Sequence, residues 1–154
     1  MSPNIVRGCL LGGALGDATG APFEGQTPPS KVPHRVGPTI TDDTQLTLAT
    51  CEGIRQAGSV SPEAIAAQFL VWFRRGQLTG LGSSTLKALR DLQLGAHWAI
   101  SGTSGEFGAG NGAAMRIAPL AFLVDPFTRL GRTRIRDVAA ITHRNDHAYI
   151  GALA

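Results

Sequence analysis

A chain of 154 residues that is 43% hydrophobic and 16% charged is long enough for one domain with a buried core, and too apolar to be disordered. The formal charge of +3 is small. Its basic cluster, Arg129, Arg132, Arg134 and Arg136, has no interleaved aromatics, so it reads as a solvated turn leading into a helix and not as a nucleic-acid surface.

The chain reads as helices joined by Gly/Pro-rich loops. A first helix is predicted from Pro3 to Leu15, with Ile5, Val6, Cys9, Leu10 and Gly13 on one face. Gly8, Gly12, Gly13 and Gly16 each cost about 1 kcal/mol of helix propensity, which points to a neighbouring backbone close by. The apolar run after Arg7 stops at Asp17, too short for a membrane span, and no stretch has the order of a signal peptide. A cytoplasmic protein is expected, with Cys9 and Cys51 as reduced core residues. Prolines and glycines from Gly20 to Pro38 predict a long loop, which in a compact domain is more often functional than accidental.

A second helix is predicted from Thr41 to Gln56, with Leu46, Ala49, Thr50 and Gly53 inward. Ser61-Pro62-Glu63 opens a third, which turns Ile65, Phe69, Trp72 and Phe73 to the core. Ser83 or Ser84 caps a fourth, with Leu86, Leu89 and Leu92 as its buried row. A Gly/Ser-rich loop, 101–112, precedes an apolar helix from Ala113 to Leu123, and a last helix runs from Ile135 to His143. No strands, repeats or low-complexity segments stand out, so the fold class is all-α, with helices packed around a loop-lined cleft.

Four segments could carry chemistry. In Thr41-Asp42-Asp43-Thr44 two acids sit side by side despite their repulsion. They suit a helix N-terminus, where acids meet the positive end of the dipole, and equally a hard cation such as Mg²⁺, which takes carboxylate and hydroxyl oxygens. Asp17 stands near a helix end, the unfavourable place for an acid, and Glu24 stands in the Pro/Gly loop. Each is either a solvated acid or a site residue. Gly108–Arg116 places small residues before a helix, as a phosphate cradle does, without the lysine or spacing of a P-loop. His143 is either a cation at a helix end or a group near a ligand.

In this order, GCLLGGALGDATGAPFEG, TDDTQLTLAT, GNGAAMRIAPLAF and ITHRNDHAYIGALA resemble the ADP-ribosylglycohydrolase family, including the dinitrogenase reductase-activating glycohydrolases. The resemblance covers nearly the whole chain. It implies an all-α orthogonal multi-helix bundle holding two Mg²⁺ or Mn²⁺ ions, and hydrolysis of the bond between ADP-ribose and a modified side chain, commonly arginine. The expected partner is an ADP-ribosylated protein or another ADP-ribose adduct. By motif match, Thr41, Asp42 and Asp43 are metal ligands, and Glu24 is the acid that approaches the reacting ribose. Glu24, Asp42 and Asp43 form the catalytic group. Gly110, Asn111, Gly112 and Met115 hold the ADP-ribose, and His143, with Asp17, stands near the substrate.

Members of the family are about twice as long and draw further metal ligands from a later Asp-x-Asp-Thr-type segment, which does not follow His143 here. Residues 1–154 are therefore expected to form one domain of this type that lacks its C-terminal helices. Two divalent ions need on the order of twelve ligand positions, so the chain alone is expected to bind metal weakly and to hydrolyse little. The alternative reading is an inactive relative that binds ADP-ribose or a partner. The apolar residues from Ala148 to Ala154 carry no stop signal, so self-association or pairing with a missing segment is expected.

Overall fold

The computed structural model describes residues 2–27, 37 and 39–154, so most of the loop expected between Gly20 and Pro38 lies outside the described residues. The fold is all-α apart from one two-residue bridge. None of its described helices is long and apolar enough to cross a membrane.

Helix α1 runs Pro3–Gly20, further than its apolar pattern predicts, so Asp17 lies inside its last turn. It rides on the surface. Val6, Cys9 and Leu10 are half-buried, Ile5 and Gly13 are exposed, and Ala18 alone is buried. The glycines of α1 do not mark a close backbone: apart from the helix's own neighbouring turns, no described atom lies within 4 Å of where a Cβ would stand on Gly8, Gly12, Gly13 or Gly16. The thiols of Cys9 and Cys51 are free and half-buried, so they border the core without joining it.

Helices α2 (Asp42–Ala57) and α3 (Pro62–Arg74) make the centre of the fold. Both begin on a hydroxyl: the Asp43 N–H donates to Thr41 Oγ1 at 3.4 Å and the Ala64 N–H to Ser61 Oγ at 3.2 Å. The α2 face predicted inward, Leu46, Ala49, Thr50 and Gly53, is buried. Here glycine does admit a neighbour, since a Cβ on Gly53 would stand 2.7 Å from Ile65 Cα and 2.9 Å from its nitrogen. Gly53→Ala is therefore expected to destabilise by about 2 kcal/mol, the overpacking outweighing the gain in helix propensity. A thermal melt lowered by several degrees checks this.

Helix α4 (Ser83–Gln93) starts from Gly82 with no side-chain cap, and its buried row is Thr85, Ala88 and Leu89, with Leu86 and Leu92 half-buried. After α5 (Trp98–Ser101), β1 (Thr103–Ser104) pairs in parallel with β2 (His143–Arg144), placing Thr103 opposite His143. The helix expected from Ala113 to Leu123 is instead two 3₁₀ turns, Ala114–Arg116 and Ala118–Phe122. Pro119 has no N–H to continue an α-helix and its ring disfavours the α conformation before it.

Helix α6 (Arg129–Ala140) starts six residues before Ile135, with the Gly131 N–H donating to Thr128 Oγ1 at 3.0 Å. The arginines expected in a turn thus stand on this helix, with Arg129, Arg132 and Arg136 exposed. Helix α7 (Asp146–Leu153) is capped by Asn145. Leu46, Ile65, Phe69, Leu89, Leu120, Ile135, Val138 and Ile141 form the core, and the start of α2 opens onto its rim.

Candidate active site

The site grows from the first turn of α2. Asp17 reaches over from α1 and takes four donors there. Thr41 N–H donates to Oδ2 at 2.9 Å, Thr44 N–H at 3.2 Å and Thr44 Oγ1 at 2.6 Å, while Thr41 Oγ1 donates to Oδ1 at 2.8 Å. Partial burial alone would raise the Asp17 carboxyl, but the hydrogen bonds from Thr44 and Thr41 outweigh it and hold it below the usual aspartate value. An acid that looked misplaced at the end of one helix therefore satisfies the positive end of the next.

Thr41 Oγ1 also lies 3.1 Å from Asp43 Oδ2, so hydroxyl and carboxylate face the same space. Asp42 is 7% exposed. Its carboxyl is pushed up to about 6, first by burial, then by the charge of Asp43, with Glu24 and Asp17 adding to the repulsion. Gly80 lies against it, in the left-handed region at φ +80°, where a Cβ would stand 3.3 Å from Asp42 Oδ1. A side chain there would be strained by the backbone and crowded by the carboxylate.

The opposite wall is the glycine loop. A Cβ on Gly112 would stand 2.5 Å from His143 Cε1 and 3.1 Å from both His143 Nε2 and Thr85 Oγ1, and one on Gly110 3.3 Å from Nε2. The imidazole thus packs close against this loop, which excludes a side chain at Gly112 and crowds one at Gly110. His143 Nδ1 is 2.8 Å from Thr142 Oγ1, which leaves Nε2 toward Gly110 and Gly112. Burial, then the nearby Arg116 charge, pulls the His143 pKa down to about 4, so the ring is neutral at physiological pH.

A histidine depressed from 6.5 in the unfolded chain to about 4 in the folded one stabilises the fold fully above pH 6.5, and loses that contribution as pH falls toward 4. The expected contribution is on the order of 2–3 kcal/mol. Urea unfolding of the wild type and His143→Gln across pH 4–7.5 checks it, because the difference between the two curves isolates this ring.

Asp17, Glu24, Thr41, Asp42, Asp43, Gly110, Asn111, Gly112, Met115 and His143 all line one cleft of about 850 Å³. The sequence reading missed other parts of that wall: Gly80, Ser83, Ser84, Thr85 and Phe107. Ser84 Oγ donates to the Phe107 carbonyl at 2.7 Å and ties α4 to this loop, a long-range bond with no local sequence sign. Thr41, Asp42 and Asp43 present hard oxygen donors of the kind a small divalent cation takes. Among the described residues no three His, Cys, Asp or Glu side chains come together as a metal cage.

Comparison with known proteins bears on the fold and the family. The family model described as ADP-ribosylglycohydrolase matches residues 3–154. The chain is 32% identical over 131 residues to the ADP-ribosylarginine hydrolase Tri1 of Serratia proteamaculans, covering 74% of this chain and 35% of that protein. It is 27% identical over 173 residues to the ADP-ribosylhydrolase ARH3 of Xenopus tropicalis, covering 96% and 47%. A solved structure titled ADP-ribosylglycohydrolase-related protein complex superposes with a TM-score of 0.72 at 32% identity, covering 95% of this chain and 51% of that one. The chain spans about half the length of the curated relatives it matches. On fold, motif order and match, the chain belongs to the ADP-ribosylglycohydrolase family.

Proposed function

We propose that this cleft binds ADP-ribose and serves hydrolysis of the bond joining it to a modified side chain, with arginine as the acceptor. The observation that carries the reading is the convergence of four separate sequence segments on one cleft, with acids on one wall and a glycine loop on the other. Tri1, an ADP-ribosylarginine hydrolase by name, supports arginine.

Thr41, Asp42 and Asp43 are the residues that would hold Mg²⁺ or Mn²⁺, since burial and the neighbouring acids that raise the Asp42 carboxyl would favour a cation beside it. When bound, such ions orient ribose hydroxyls and make water a better nucleophile. The rest falls to the chain. The glycine loop lets backbone come close to the diphosphate, and His143, neutral, offers Nε2 without adding charge. As the C–N bond at the anomeric carbon breaks, positive charge develops on the ribose, which the Asp42 and Asp43 carboxylates stabilise. Water adds its oxygen to that carbon. Glu24, at the cleft edge, takes the proton released by that water, or donates one to the leaving guanidine nitrogen.

The test is to incubate a mono-ADP-ribosylated arginine peptide with the protein, with and without Mg²⁺, and to follow free ADP-ribose by mass spectrometry. Mg²⁺-dependent release supports the reading. A second reading is favoured by the absence of a closed metal cage among the described residues: a module that binds ADP-ribose without cleaving its adducts. Tight calorimetric binding of ADP-ribose with no release under any metal condition would decide for it.

A further inference from the structure

Arg116 is fully buried and does not line the cleft, although Gly112 and Met115 beside it do. Its guanidinium donates to the Gly112 carbonyl, and to the Val138 carbonyl of α6 at 3.1 Å. It lies over the Phe69 ring of α3, with Cζ 5.0 Å from the centroid. Among the described residues no carboxylate bonds to it, and its Nε is buried without a partner. A buried guanidinium hydrogen-bonded only to neutral carbonyls, with just the nearby Asp42 charge to offset its burial, is costly, and an apolar residue of like volume would fill the space more cheaply. The fold retains the charge all the same.

What the arginine grips explains it. A planar fork bridging two carbonyls joins the glycine loop to α6, with the Phe69 ring packed against it. Because a trans peptide points its C=O and N–H in opposite directions, drawing the Gly112 carbonyl to Arg116 turns the Ala113 N–H away from it. The same bond holds Gly112 close to the His143 ring, where an added Cβ would stand 2.5 Å from Cε1. Arginine is the one side chain able to make both bonds from one rigid plane while keeping its charge.

We propose that Arg116 is the positioning residue of the ligand loop: from the interior it sets the peptide orientation of Gly112 and the seat of His143, and so the affinity for the diphosphate of ADP-ribose. The inference rests on the reading of the cleft as an ADP-ribose site.

Free ADP-ribose is titrated calorimetrically into the wild type, R116K and R116M, and amide hydrogen exchange is measured on the ligand-free proteins. Lysine keeps the charge and stem but has no fork. R116K is expected to bind ADP-ribose about 10-fold or more weakly, with faster exchange confined to residues 110–113 and wild-type protection in α2 and α3. Unchanged affinity with an equally protected loop overturns the proposal. Acceleration spread evenly over α2, α3 and α6 also overturns it, because that marks general loss of stability. Should both variants fail to fold, the wild type still decides. The Arg116 guanidinium ¹⁵N resonances should move when ADP-ribose binds, and resonances that stay put at saturating ligand refute the coupling. A wild type that binds no ADP-ribose sinks the functional reading instead, and the exchange comparison then judges Arg116 alone.

Discussion

Asp42→Asn is expected to lower release of ADP-ribose from a modified arginine by about 10²-fold or more, with Glu24→Gln causing a loss of the same order. The two variants should fail for different reasons. The amide in Asp42→Asn keeps the shape of the buried side chain and removes one of two adjacent charges, so it weakens both the hold on a cation and the stabilisation of a positive ribose. It also removes the repulsion and desolvation that push Asp42 up to about 6. The metal-free variant should therefore melt no lower than the wild type, a stability–activity opposition that separates a functional charge from a structural one. Glu24, exposed and outside α2, should change turnover with little effect on melting or on Mg²⁺ affinity. Turnover followed by mass spectrometry, beside calorimetric Mg²⁺ titration, checks both. Near-normal turnover by Asp42→Asn would refute its role.

Gly112→Ala should abolish ADP-ribose binding within the range of calorimetry. The added methyl would stand 2.5 Å from His143 Cε1, and the ring has little room to withdraw, being 5% exposed and bonded to Thr142. Either the loop lifts into the cleft or the ring turns out of its seat, at a cost of about 1–3 kcal/mol of stability. Gly110→Ala is the graded control. Its methyl would stand 3.3 Å from His143 Nε2, an approach that small shifts relieve, so it should bind more weakly than wild type but measurably. Equal affinity in Gly112→Ala and wild type would show that ligand does not use this loop.

What could be read from the sequence follows the range of the interactions. Thr41 and Ser61 announced their helices because a cap acts within three residues, and the buried face of α2 followed from its period. The four motifs found the cleft because each carries its chemistry in a few adjacent residues. Partners distant in the chain were the difficulty. Asp17 was legible as an odd acid, but its purpose depends on donors 24 and 27 residues away. Arg116 sits in an apolar stretch, which is a signal in hindsight, yet Phe69 and Val138 belong to other helices. The stretch from Ala113 to Leu123 misled because its apolar composition suits a helix while Pro119 stands in its interior. In α1 the glycines suggested a close neighbour that the described residues do not supply.

The reach of Asp17 into the first turn of α2 has a thermodynamic consequence. Of the residues of α1 only Ala18 is buried, so this helix belongs to the low end of the local stability range, and one carboxylate at the rim of the cleft ties it to α2. Whatever occupies the cleft and steadies Thr41 through Thr44 must then also raise the free energy of peeling α1 away, and the linkage runs equally in reverse. Occupancy is thus reported at a distance, as slower protease nicking along α1 once the cleft is filled.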